Sequence, residues 1–139
     1  MALELVIFTV AGHASLDANR ELNVIAGGIQ LIRAPSYPFR TRPMVFVSTV
    51  RINEIDDIGE TPDIRVEMVL PSGEVNVMFT AIGGGDWDLA NNVVSDMPFA
   101  VHDVIPFSLD VSEPGIYEFR TIWDETEMGS WTIHFVEDG

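Results

Sequence analysis

With no cysteine and three histidines, His13, His102 and His134, the chemistry open to this chain begins with its imidazoles and its 22 carboxylates. Metal sites and nucleophilic triads often announce themselves as His-x-His, His-Glu-x-x-His or a Gly-x-Ser-x-Gly elbow, and none of these occurs. Each histidine falls in or beside an expected strand, where a surface or hydrogen-bonded role is the simpler one. Asp56 with Asp57, Asp86 with Asp88, and Asp124 and Glu125 with Glu127 have the proximity of a glycosidase-like acid and base, but that chemistry also needs a substrate cleft lined by aromatic residues. Gly83-Gly84-Gly85 lacks the lysine that follows a phosphate-cradling loop. We assign no catalytic residue and read the chain as a non-enzyme.

The stretch from Gly83 to Asn92 is richest in hard oxygen donors, with Asp86, Asp88, Asn91 and Asn92 beside glycines that let a backbone fold round an ion. Calcium at Asp86, Asp88 and Asn91 is therefore the one metal considered, against the simpler reading of a solvated acidic loop. Trp87 between the two aspartates supplies a ring for stacking on a sugar. A calcium-assisted carbohydrate-binding module is the alternative function, and no other cofactor is implied.

The basic residues carry a stronger pattern. All seven are arginine, and the net charge is −15. Residues 1–51 hold five arginines against three acids, a net +2, whereas residues 52–139 hold 19 acids against Arg65 and Arg120, a net −17. Such a field repels nucleic acid phosphates and anionic membranes, so neither is an expected partner. Arg33, Tyr37, Phe39, Arg40 and Arg42 lie on a segment with prolines at 35, 38 and 43. Aromatics and arginine are the side chains enriched at interface cores. A loop already held extended also loses less entropy on docking. These five residues are the candidate interaction site, with a protein partner or a second copy of the chain on the other side. The competing reading is a loop that folds onto its own domain.

The elements that must position these residues are strands. Leu22 to Pro38 combines an apolar run (Val24, Ile25, Ile29, Leu31, Ile32), a Gly27-Gly28 break and a proline-framed turn, and reads as a bent central strand. Leu3 to Val10 precedes it as a first strand, with Gly12 to Glu21 as a connecting loop. Residues 33–43 read as an extended, exposed loop because three prolines forbid a helix. Met44 to Ile52 is a strand mixed enough to be covered on both faces, and Asn53 to Pro62 is an acidic loop. Ile64, Val66, Met68 and Leu70 share one face, Pro71-Ser72-Gly73-Glu74 turns, and Val75, Val77, Phe79 and Ala81 return, giving a hairpin over residues 63–82. Pro98 to Val104 reads as a short edge strand, with Ile105, Phe107 and Leu109 alternating after it. Tyr117, Phe119 and Trp123 share a face of the next strand, and Trp131, Ile133 and Phe135 a face of the last.

No stretch sustains a 3.6-residue period. About eight short strands result, and their apolar faces demand a second sheet, so the expected fold is all-β: one domain over residues 1–139, a two-sheet antiparallel β-sandwich, immunoglobulin-like or jelly-roll-like. A chain of 139 residues buries roughly 65–70% of its unfolded surface, enough for a core without metal or disulfide. The opening Met1 to Val10 carries Glu4 in an apolar run too short to cross a bilayer and has no basic leader region, so a cytoplasmic protein is expected.

Leu22-Asn23-Val24-Ile25-Ala26-Gly27 leading into Ala34-Pro35-Ser36-Tyr37-Pro38, with the closing Glu113-Pro114-Gly115-Ile116-Tyr117-Glu118-Phe119, resembles a family of small uncharacterised bacterial all-β proteins. The resemblance covers about the first 50 and last 35 residues and implies an all-β sandwich. It departs at Arg20-Glu21, where that family has a glycine turn, and at the longer Asp86-Trp87-Asp88 loop. It supplies no catalytic residue. The function these readings favour is a structural or protein-interaction module, a self-assembling subunit or a component of a larger complex.

Overall fold

Alternating apolar and polar side chains dictate strands, and the computed structural model, which describes residues 3–17, 21–52, 63–81 and 99–138, holds strands and turns with no helix among them. In chain order these are β1 (Leu3–Leu16), β2 (Leu22–Gly27), β3 (Leu31–Ala34), β4 (Phe39–Arg40), β5 (Met44–Ile52), β6 (Ile64–Val69), β7 (Val75–Ala81), β8 (Phe99–Phe107), β9 (Asp110–Val111), β10 (Gly115–Trp123) and β11 (Thr126–Glu137). They make a four-stranded sheet β2-β1-β5-β8, a five-stranded sheet β3-β11-β10-β6-β7 and a two-stranded ribbon β4-β9. The all-β expectation holds. The described residues carry eleven strands in three sheets where about eight in two were expected. Moreover, β3 lies parallel to β11. The extra pieces arise because the proline-framed segment folds back and pairs, contributing β4.

The two larger sheets meet through aromatic rings. Phe46 of β5 stacks on Phe107 of β8 at 4.0 Å between ring centroids and meets Phe119 of β10 edge-on at 5.5 Å. Val10, Met44 and Phe46 from one sheet share a cluster with Val66, Met68, Tyr117, Phe119, Ile133 and Phe135 from the other. Leu109 and Val111 join the same cluster. The Tyr117 hydroxyl donates to the Glu113 carbonyl four residues upstream at 2.8 Å, pinning the turn before β10 in the manner of a tyrosine corner. Covered on both faces as expected, β5 buries Met44 and Phe46 on one side and Val45 and Val47 in a second cluster with Ala11 and Ala14.

The run from Leu22 to Pro38 is not one central strand. It divides into β2, at the edge of one sheet, and β3, at the edge of the other, and the chain crosses between them at Ala26 to Gln30, where Ala26 (φ 53°) and Gly28 (φ 72°) take left-handed conformations. Ile29 ties the crossing to both sheets: its N–H donates to Val10 of β1 at 2.9 Å, and its carbonyl accepts from Trp131 Nε1 of β11 at 2.7 Å. Edge placement leaves apolar side chains in solvent, with Ile25 66% and Leu31 49% exposed. β1 also runs on to Leu16, through residues expected as loop, because its second half pairs with β2. The 63–82 hairpin is present, closed by Gly73 at φ 93° and by Leu70 N–H to Glu74 O at 2.8 Å. A register shift at Val66/Glu67 turns both Met78 and Phe79 toward the core and leaves Val75 and Val77 exposed.

The outer face of the five-stranded sheet carries paired charge. Arg65 bonds Glu67 at 2.9 Å and Glu125 at 2.8 Å, and Arg120 bonds Glu118 and, at 3.2 Å, Glu127. These hydrogen bonds raise the pKa of both guanidiniums. The two arginines of the acidic part of the chain are thus committed to their own sheet.

Candidate functional site

The segment after β3 is drawn back onto its own domain by its aromatic residues. The Tyr37 hydroxyl donates to the Val136 carbonyl at 2.7 Å, Tyr37 meets Phe39 edge-on at 5.1 Å, and Phe39 packs on Phe135 at 6.1 Å. The Tyr37-Pro38 peptide is cis. Burial, with smaller contributions from Tyr117 and Glu137, holds the Tyr37 hydroxyl above its ordinary pKa. Beyond it, Phe39 pairs with Val111 and Arg40 with Asp110. Arg40 Nη1 reaches both carboxylate oxygens of Asp110, at 2.9 and 3.0 Å. Thr41 completes the clamp: its N–H donates to Leu109 O at 2.8 Å, and its buried hydroxyl accepts from Leu109 N at 2.9 Å.

Residues 39–44, once clamped, stand opposite β3 and leave between them a groove of about 450 Å³ lined by Ile29, Leu31, Ile32, Arg33, Phe39, Thr41, Arg42 and Met44. Burial separates floor from rim. Met44 and Thr41 are buried, Ile29, Ile32 and Phe39 half-buried, and Leu31, Arg33 and Arg42 exposed. Arg40, Arg51, Arg65 and Arg120 each hold a carboxylate. Arg33 and Arg42 have no ion-pair partner among the described residues. Glycine at position 12, near Arg42, fits the close approach of β2, since a Cβ there would stand 3.1 Å from Ala26 Cβ. The arrangement is an apolar trough with two guanidiniums on its rim that no carboxylate of the described residues holds, suited to carboxylates joined to apolar groups.

Of the five residues singled out in the sequence, Tyr37 and Phe39 serve the domain's own packing, Arg40 is paired within the chain, and Arg33 and Arg42 rim the groove. Ile29, Thr41 and Met44, which line it with them, were not singled out. Their signal was faint, since Ile29 and Met44 read as ordinary strand residues and Thr41 as part of an exposed loop. Asp86, Asp88 and Asn91 lie outside the described residues. Among the described residues no group of three or more histidine and carboxylate side chains could hold a metal ion. His102 shares a hydrogen bond with the buried Thr49 hydroxyl at 2.8 Å, and His13 and His134 are exposed. Asp103, beside His102, has its pKa raised by burial, an effect that His102 partly opposes.

A model of DUF6941, a family of unknown function, matches residues 6–136, a span that takes in the whole groove. The chain belongs to the DUF6941 family. This DUF6941 member matches none of the curated proteins. A solved structure similar to it is the Pseudomonas fluorescens alkylpurine DNA glycosylase AlkC bound to DNA containing an abasic site analog, with 9% identity and a TM-score of 0.49. The match covers 96% of the DUF6941 chain but only 30% of the glycosylase chain. No helix among the described residues is long and apolar enough to cross a membrane.

Proposed function

We propose that this chain is a non-enzymatic protein-interaction module whose contact surface is the groove between β3 and residues 39–44. One observation carries the reading: in a chain of net charge −15, Arg33 and Arg42 sit on the rim of an apolar trough with no ion-pair partner among the described residues. Guanidiniums that no carboxylate of the described residues neutralises complement carboxylates on a partner, and the apolar floor adds the desolvated contact area that a rim charge alone lacks. The partner in this reading is an acidic protein segment. The frame that presents the groove is a two-sheet sandwich, immunoglobulin-like, a reading supported by the Phe46–Phe119 contact and by the tyrosine corner at Tyr117.

The test is fluorescence anisotropy with two short labelled peptides, one alternating valine with glutamate and the other valine with lysine, titrated with wild type and with Arg33→Glu/Arg42→Glu. The glutamate peptide should bind wild type, weaken with added salt, and lose more than about tenfold in affinity, about 1.4 kcal/mol, against the double variant. Arg51→Glu, whose ion pair with Glu4 at 3.7 Å is on β1 and β5 away from the groove, should leave binding unchanged. Equal binding of both peptides, or a glutamate peptide that ignores the double variant, overturns the reading.

A further inference from the structure

The backbone of β3 adds what the groove's side chains leave open, the conformation of the bound partner. β3 ends its sheet, with β11 on one side only. His134 N–H donates to Gln30 O and Asp138 N–H to Ala34 O, both at 2.8 Å. The register His134↔Leu31, Phe135↔Ile32, Val136↔Arg33 then assigns residues 30, 32 and 34 to the ladder with β11. A strand presents its peptide groups with a period of two, so the N–H and C=O of Leu31 and Arg33 are directed away from β11, to the open side, and have no ladder partner among the described residues. Those two residues also line the groove, and both side chains are exposed.

Natural sheets blunt such edges with charge, proline or a covering segment, because an uncovered row of donors and acceptors recruits another strand. Here the edge carries Arg33, which deters cationic and nucleates anionic pairing, and Pro35 stops the strand just beyond. The apolar floor alongside is Ile29, Ile32, Phe39 and Met44.

We infer that the groove takes its partner as an added β-strand: an extended acidic peptide segment that hydrogen-bonds to the Leu31 and Arg33 backbone, sets carboxylates against Arg33 and Arg42, and lays alternate apolar side chains on the floor. This rests on the groove reading above and goes further, since main-chain pairing supplies affinity while the alternate side chains supply selection for acidic, alternating sequences. β3 is four residues long, so the paired stretch is short and the two arginines carry much of the selectivity.

The experiment leaves the protein unaltered and modifies the valine–glutamate peptide. Two versions are made, one N-methylated at every valine and one at every glutamate. In an extended strand the two sets of amides face opposite sides, so one version loses at least about tenfold in affinity while the other binds as the parent does, whichever way round the peptide lies. In parallel, amide hydrogen exchange is followed on the wild-type chain with and without the parent peptide. The Leu31 and Arg33 amides should slow by at least about tenfold on binding, with Ile32, already in the ladder, changing little. If the parent peptide binds in an arginine-dependent way but both methylated versions bind equally and Leu31 and Arg33 exchange unaltered, strand addition is wrong and the groove reading stands. If the parent peptide does not bind at all, the groove reading itself is wrong. A concentration-dependent dimer in which the same two amides are already protected without peptide also overturns the inference, in favour of a second copy on that edge.

Discussion

Replacing Thr41 by valine isolates the bond that holds the outer wall of the groove. Thr41 is 6% exposed, and its hydroxyl accepts the Leu109 amide at 2.9 Å. Valine keeps the shape and removes the acceptor, so the Leu109 N–H is left buried beside a methyl group. Stranding a buried donor costs about 1–3 kcal/mol, more than the roughly 1 kcal/mol net value of an average hydrogen bond. For a chain of this length each kcal/mol lowers Tm by about 3–4 °C, so Thr41→Val should melt roughly 3–12 °C below wild type. Thr41→Ser keeps the acceptor and loses one buried methyl, about 0.8 kcal/mol, and should fall between the two. Thermal and urea melts of the three proteins provide the comparison. A valine variant as stable as wild type, or a serine variant that falls further than valine, would refute the claim that this hydroxyl clamps residues 39–44 to residues 109–111.

Three further outcomes follow from local geometry. Gly115 has φ 144°, and a Cβ there would stand 2.6 Å from Pro71 Cγ. Gly115→Ala should therefore cost about 3 kcal/mol or more, and Pro71→Ala should restore only the steric share in the double variant, as read by urea melts. Tyr37→Phe should lose about 1 kcal/mol at neutral pH with the bond to Val136. Burial raises this phenol above its ordinary value of 10.0, so the stability it adds is present below that pH and fades above it, and denaturation curves should show wild type converging on the phenylalanine variant as pH rises past 10.0. Asp103, raised from 3.8 by burial, favours the folded state while protonated and loses that contribution as pH climbs through the carboxylate range. Asp103→Asn should consequently be more stable than wild type at neutral pH and equal to it in strong acid.

What could be read in advance followed how each residue meets its neighbours. The 63–82 hairpin and the strands around Tyr117 and Ile133 were legible because Ile64, Val66 and Met68, then Tyr117 and Phe119, alternate with charged residues, and period-two alternation depends only on nearby sequence. The Leu22–Pro38 run was misread because apolarity was taken for burial. Ile25 and Leu31 are apolar yet lie on edge strands, and edge position is a property of the whole topology. Residues 33–43 were rightly seen to exclude helix, but prolines say nothing of what a segment lies on. That Tyr37 would bond Val136 depends on the parallel β3–β11 contact, and that Arg40 would pair with Asp110 on the β4–β9 ribbon, both between distant parts of the chain. The groove was legible in its rim, through two arginines in an acidic chain, and illegible in its floor, where Ile29 and Met44 resemble any core residue.

The most direct test of the groove as a binding surface is a map of backbone amide and arginine Nε–H resonances of the wild-type chain during titration with the valine–glutamate peptide. Shifts should concentrate at Ile29, Leu31, Ile32, Arg33, Phe39, Thr41 and Arg42, with the Nε–H signals of Arg33 and Arg42 moving and those of Arg65 and Arg120 unmoved. Shifts centred on the Arg65 and Arg120 face, or none in the groove at peptide concentrations that saturate binding, would contradict the groove reading.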